Sequence, residues 1–196
     1  LCNNSTLVEK MREEYPELFQ IEYVCEPQKD VLGLLYLSLK QAGQRKAAGA
    51  YYTPEKIVKR LVCHAAIPTK RGQKILDPCC GSGSFLLHLP ETVDIEDVYG
   101  NDLDKTAVCL ARINLAIRYL PGNVEVLYRN ITEKNFLTSY IETDFAFIIG
   151  NPPWGFHFEK EEKKELKKRY YTAGKQQVES FNLFVECAVG KLKQHG

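Results

Sequence analysis

The chain has 196 residues, of which 44% are apolar and 26% charged, with a formal net charge of +1. This length suits one domain with a sizeable core, and no apolar run approaches the roughly 20 residues that cross a bilayer, so the expected class is globular with no membrane partner. The near-neutral charge does not advertise a nucleic-acid surface, although a catalytic module can leave most phosphate contacts to another domain.

In chain order, Ser5 to Leu39 reads as helical, with Leu7, Val8 and Met11 and then Val31, Leu34, Leu35 and Leu39 at helical spacing. Pro16 and Pro27 divide it. Gln41 to Gly49 is a connection, so residues 1–48 are expected to form a helical linker segment ahead of a domain at 49–196. Thr53-Pro54-Glu55 predicts a helix start, Thr53 as N-cap and Pro54 in the first turn, with Ile57, Val58, Leu61, Val62 and Ala65 as its stripe up to Pro68 and Gly72.

Lys74 to Asp77 is a short buried strand followed by the turn Pro78-Cys79-Cys80-Gly81-Ser82-Gly83-Ser84-Phe85 and a helix through Leu86 and Leu87. A second short strand is predicted within Val93–Gly100, and strands at Val124–Tyr128 and Phe145–Ile149, with a helix from Asp104 to Tyr119 after the first of these. Alternating strands and helices imply an α/β fold, a doubly wound, mostly parallel sheet of Rossmann-like kind. Glu159 to Arg169 is a mixed-charge helix, read as a solvated face with DNA-backbone contact as the alternative, and Val178 to Leu192 is amphipathic.

The cysteines are odd in number and form no C-x-x-C pair, which predicts neither a disulfide framework nor a metal site. No signal-peptide pattern is present, and a cytoplasmic location is the expectation. The start at Leu1 and the stop at Gly196 after a helical pattern predict a piece of a longer protein, lacking later strands.

Chemistry concentrates in three places. Gly81 and Gly83 let backbone approach a ligand closely, but the third glycine of G-x-G-x-x-G is missing, which favours a nucleoside cofactor without a pyrophosphate; no P-loop pattern occurs. Asp102, about 20 residues on, stands where an acidic side chain binds ribose hydroxyls, whereas Asp104 reads as a helix cap. Asn151-Pro152-Pro153-Trp154 ends the fourth strand and builds a slot for a flat heterocycle with an exocyclic amine. The Asn151 side-chain carbonyl and the Pro152 carbonyl can accept both hydrogens of one amino group, and Trp154 can stack on the ring. A strand-ending Pro-Pro with a packing Trp is the bland alternative.

Together these motifs resemble S-adenosylmethionine-dependent amino-methyltransferases, and most closely the N6-adenine DNA methyltransferases of restriction-modification systems in the gamma arrangement. The resemblance covers Gly49 to the end. It identifies Gly49-Ala50-Tyr51-Tyr52-Thr53-Pro54 with the motif that contacts the methionine part of the cofactor, so Tyr52, Thr53 and Pro54 are implied there. Asp77, Cys79, Gly81, Gly83 and Phe85 fall in the first cofactor motif, Asp102 and Leu103 in the ribose motif, and Phe184 in the adenine pocket. Where the family has an Asp after the third strand to hold the cofactor's adenine amine, the aligned position here is Asn130, next to Ile131.

The implied activity is methyl transfer to the N6 amine of an adenine flipped out of DNA, with Asn151, Pro152, Pro153 and Trp154 as the catalytic motif and recognition supplied outside this chain. The same loop occurs in N2-guanine RNA methyltransferases and protein-glutamine methyltransferases. A non-catalytic cofactor- or partner-binding module is a further alternative.

Overall fold

The computed structural model describes residues 5–20, 26–39, 53–174 and 178–194. Helix α1 (Ser5–Glu14) and a 3-10 turn (Pro16–Phe19) come first, then α2 (Val31–Leu39) and α3 (Glu55–His64). Four strands follow: β1 (Ile75–Asp77), β2 (Val98–Asp102), β3 (Ile131–Glu133) and β4 (Phe147–Ile148). Between β2 and β3 lie α4 (Lys105–Tyr119) and α5 (Glu125–Asn130), and after β4 come α6 (Lys160–Arg169) and α7 (Ser180–Val189).

The strands form one parallel sheet in the order β3-β2-β1-β4, with Ile75 opposite both Val98 and Phe147. The order reverses at β1, whose C-terminal end abuts that of β4, and such a switch point opens a crevice. Neighbouring residues of a strand face opposite sides, so Ile75 and Leu76 enter different cores, as a covered parallel strand requires. Ile75 packs with Leu86, Val98, Val108, Leu115 and Leu127, and Leu76 with Phe136, Phe145, Phe158, Leu166 and Leu183. Beyond α7, Leu192 pairs in parallel with Phe145.

Several sequence expectations shift. The helix at Thr53 starts one residue later, with Pro54 at the N-cap and no side-chain cap, and it ends at His64, before Pro68. The segment after the glycine turn is a 3-10 turn (Leu86–His88) rather than a helix, closed by Leu87 N–H to Gly83 O at 2.9 Å, because Pro90 stops propagation. The short strand expected within Val93–Gly100 is β2, which begins at Val98 after a 3-10 turn at Ile95–Asp97 capped by Asp94.

The largest difference is Val124–Tyr128, predicted as a strand from its β-branched residues. It lies mostly within α5, where Asn123 Oδ1 accepts Glu125 N–H at 2.9 Å and Val126, Leu127 and Asn130 turn inward at helical spacing. The third strand therefore begins at Ile131. Asp104 does cap α4, accepting the N–H groups of Thr106 and Ala107 at 3.0 and 3.1 Å. Helix α6 carries the pairs Lys164–Glu161 and Arg169–Glu165 at 2.8 and 3.6 Å, and none of the described helices is long and apolar enough to cross a membrane.

Candidate active site

The crevice at the switch point is a cavity of about 380 Å³ walled by the turn after β1, the loops after β2, β3 and β4, and α2. Gly81 and Gly83 adopt φ of +53° and +93°, the left-handed region that only glycine enters cheaply, and this bends the chain around the cavity floor. The turn is fixed by Gly83 N–H to Cys80 O at 2.8 Å and Cys80 N–H to Asn101 O at 2.9 Å.

Asp102 ends β2 and is held at both oxygens: Oδ2 accepts Gly81 N–H at 2.8 Å and Oδ1 accepts Asp104 N–H at 2.9 Å. Burial pushes this carboxyl up from the ordinary range, opposed by those N–H donors. Asp77, 1% exposed beneath the turn, is pushed up to about 8 by burial, against the Cys79 N–H that it accepts at 3.1 Å. Burial also raises the Cys79 thiol, which stays protonated and donates to the Asn151 carbonyl at 3.2 Å. That bond joins the two motif loops directly.

Across the cavity, Asn151 Nδ2 donates to Thr53 Oγ1 at 3.2 Å, and its Oδ1 accepts the Trp154 indole N–H at 3.1 Å. Trp154 is 53% exposed and stacks on Phe181, ring centroids 4.7 Å apart. Gly150, just before Asn151, packs so closely that a Cβ there would overlap Asp77 Oδ1.

Of the residues singled out from the sequence, Thr53, Cys79, Gly81, Phe85, Asp102, Leu103, Asn151, Pro153 and Phe184 line the cavity. Gly83 backs the turn against Ala111, and Asp77 lies beneath it. Pro54 caps α3, and Trp154 stands outside the lining on Asn151. Tyr52 lies outside the described residues.

Asn130 and Ile131 are elsewhere. Asn130 is buried with Nδ2 on the Glu96 carbonyl at 3.0 Å and Oδ1 accepting Arg129 Nε–H at 3.0 Å, while Ile131 lies in the core. Past β3 the cavity is lined by Lys134, Asn135, Phe136 and Leu137, and Asn135 Oδ1 accepts Leu137 N–H at 3.0 Å. The misplaced third strand accounts for the error.

The sequence gives no individual role to several further residues. Ser84 lines the cavity, and its hydroxyl is buried without a hydrogen-bond partner among the described residues. Ser180 opens α7, donates to Pro153 O at 2.6 Å and accepts Phe156 N–H at 3.3 Å, gripping the loop on both sides of Trp154. Tyr36 and Leu37 of α2 also wall the cavity. Among the described residues no cluster of three His, Cys, Asp or Glu could hold a metal ion.

The family model for N-6 DNA methylases matches residues 27–196. The chain is 29% identical over 136 residues to the type I restriction enzyme MjaIX methylase subunit of Methanocaldococcus jannaschii, covering 64% of this chain and 23% of that one. It is 30% identical over 156 residues to the type II methyltransferase M.VspI of Vibrio sp., covering 78% of this chain and 36% of the relative. The chain thus spans well under half the length of these relatives. The fold is also similar to that of DrdV, solved as a DNA complex by cryo-electron microscopy, with a TM-score of 0.64 at 20% identity over 96% of this chain and 24% of the other.

Proposed function

This chain belongs to the N-6 DNA methylase family, and we propose that its cavity holds S-adenosylmethionine for methyl transfer to the N6 amine of adenine in DNA, as the modification part of a restriction-modification system. The observation that carries the reading is the junction of Asn151 and Cys79 at 3.2 Å, because it sets the amine slot against the glycine turn that also touches Asp102.

The residues present fit the cofactor. Its volume suits a small-ligand site. Asp102, oriented by two backbone donors, keeps lone pairs for ribose hydroxyls. Phe85, Phe136 and Phe184 offer apolar faces to an adenine ring, and Thr53 can serve the methionine part. The role that the resemblance gives Asn130, accepting the cofactor's adenine amine, falls to Asn135 in this reading. When bound, the cofactor supplies a methyl group on a positively charged sulfur. Residues 49–196 carry the motifs of the catalytic unit, and α2 adds to the wall of its cavity.

On the acceptor side, an adenine flipped from the duplex stacks at Trp154, which Phe181 braces from behind. A carbonyl oxygen has two lone pairs, so Asn151 Oδ1 takes an amine hydrogen beside the indole N–H, and the Pro152 carbonyl takes the other. Accepting both hydrogens out of the ring plane returns the delocalised lone pair to nitrogen, and the rest of the work is positioning and electrostatics. Sequence recognition and the remaining DNA contacts belong to parts of the parent or to a second subunit.

The test is transfer of labelled methyl groups to unmethylated DNA, ribosomal RNA and protein in parallel, by a form of the protein that includes the neighbouring sequence of its relatives. Label recovered as N6-methyladenine in DNA is expected, and label in RNA or glutamine instead would overturn the proposal. Asn151→Ala should cut turnover at least about a hundredfold with cofactor affinity kept. Asp102→Ala should do the reverse.

A further inference from the structure

Helix α2 precedes the motifs, yet it reaches the same cavity. Asp30, Gly33 and Tyr36 recur every three residues, which lays them along one stripe of the helix. That stripe faces α4 and the glycine turn.

Asp30 caps α2 and is 4% exposed. Its Oδ1 accepts Gly33 N–H at 2.9 Å and Asn114 Nδ2–H at 2.8 Å, and its Oδ2 accepts the Ser82 hydroxyl. Asn114 also donates to the Ser82 carbonyl at 2.9 Å. A buried carboxylate with three donors is satisfied, and its hydrogen bonds are of the strong, charge-assisted kind. Gly33 is required because a Cβ there would overlap both Ser82 Oγ and the Asp30 carboxylate. One helical turn on, the Tyr36 hydroxyl donates to the Asp104 carboxylate, 2.8 Å from the nearer oxygen, and Asp104 N–H is the group that orients Asp102.

The consequence concerns Ser82, the residue between the two glycines of the turn. A Gly-Ser-Gly turn is conformationally permissive and has much entropy to lose when a ligand fixes it. Here the hydroxyl and the carbonyl of Ser82 are both gripped from outside the cavity, so that entropy is spent on folding instead of on binding. We infer that Asp30 is a positioning residue for the cofactor site: through Ser82 it presets the Gly81-Ser82-Gly83 turn, while Tyr36 steadies the Asp102–Asp104 loop on the far side. This rests on the reading of the cavity as an S-adenosylmethionine site.

The experiment is calorimetric titration of S-adenosylmethionine into the full 196-residue chain and into Asp30→Asn, Ser82→Ala and the double variant, each followed by thermal melting. Asp30→Asn keeps the shape and the cap acceptor, but puts an amide donor where the Ser82 hydroxyl now finds its carboxylate acceptor. Each single variant should weaken cofactor binding by about tenfold, and the double variant should lie within about threefold of the weaker single one, since both changes break the same contact.

Variants that melt lower but bind like the unaltered chain would overturn the inference, and so would losses that simply add. If Asp30→Asn does not fold, Ser82→Ala and Tyr36→Phe each delete one hydroxyl and are judged by the same affinity, with unaltered binding in both overturning it. An unaltered chain that takes up no cofactor would defeat the cavity reading and this inference with it. A chain that binds beside variants that bind equally would defeat the inference alone.

Discussion

Replacing Ser180 by alanine isolates the support of the Asn151–Trp154 loop from the loop itself. The Ser180 side chain donates to Pro153 O at 2.6 Å and accepts Phe156 N–H at 3.3 Å, and at 1% exposure water cannot take over either contact. Two net hydrogen bonds at about 1 kcal/mol each put the loss near 2 kcal/mol, and alanine's better helix propensity at the start of α7 returns at most about 0.5 kcal/mol. With a urea slope of about 2 kcal/mol/M for a chain of this size, the midpoint should fall by a little under about 1 M. Trp154 is the sole tryptophan, so its fluorescence reports this loop without labelling. Acrylamide should quench it more readily in Ser180→Ala, because the ring loses its fixed seat between Asn151 and Phe181. Cofactor affinity should stay close to that of the unaltered chain, since Ser180 makes its two hydrogen bonds to the Asn151–Trp154 loop and its continuation and none to the glycine turn. An unchanged midpoint together with unchanged quenching would refute the reasoning, for it would mean that the loop holds its shape without Ser180.

Gly150→Ala should lower stability by about 1–3 kcal/mol in thermal or urea unfolding, because the new methyl group overlaps the buried Asp77 carboxyl and sits 3.4 Å from Pro78 Cδ; a variant as stable as the parent would show that the two strand ends can part freely. Asp77 gives a pH dependence of definite sign. Burial raises its folded pKa from 3.8 to about 8, so the native state holds a proton that the unfolded chain has released, and stability falls as pH rises through that window. Asp77→Asn removes this titration, and its stability relative to the unaltered chain should rise by up to about 1.4 kcal/mol per pH unit between pH 5 and 8. Urea midpoints at several pH values measure it, and parallel pH profiles for the two proteins would rule the assignment out.

Much of the site was legible because its residues are constrained by backbone chemistry that leaves a local mark. Gly81 and Gly83 occupy left-handed φ that other residues avoid, Asp104 caps the helix that it immediately precedes, and Asn151-Pro152-Pro153 ends a strand that enters both cores. These are short-range demands, and they are written in consecutive positions. The parallel character of the sheet followed in the same way, since apolar runs separated by helices admit few arrangements.

What the sequence by itself determined, then, was the class of fold, the meeting of the glycine turn with the Asn151–Trp154 loop, and the residues at the head of each loop. Tertiary structure alone decided the rest. Val124–Tyr128 has strand-forming residues, but Asn123 and the core around Leu127 draw it into a helix, which moved the third strand and exchanged Asn130 for Asn135 at the cavity. Asp30, Tyr36 and Ser180 act across separations of 52, 68 and 27 residues on Ser82, Asp104 and Pro153. A hydrogen bond between distant segments imposes no periodicity on either, so only the folded chain reveals it.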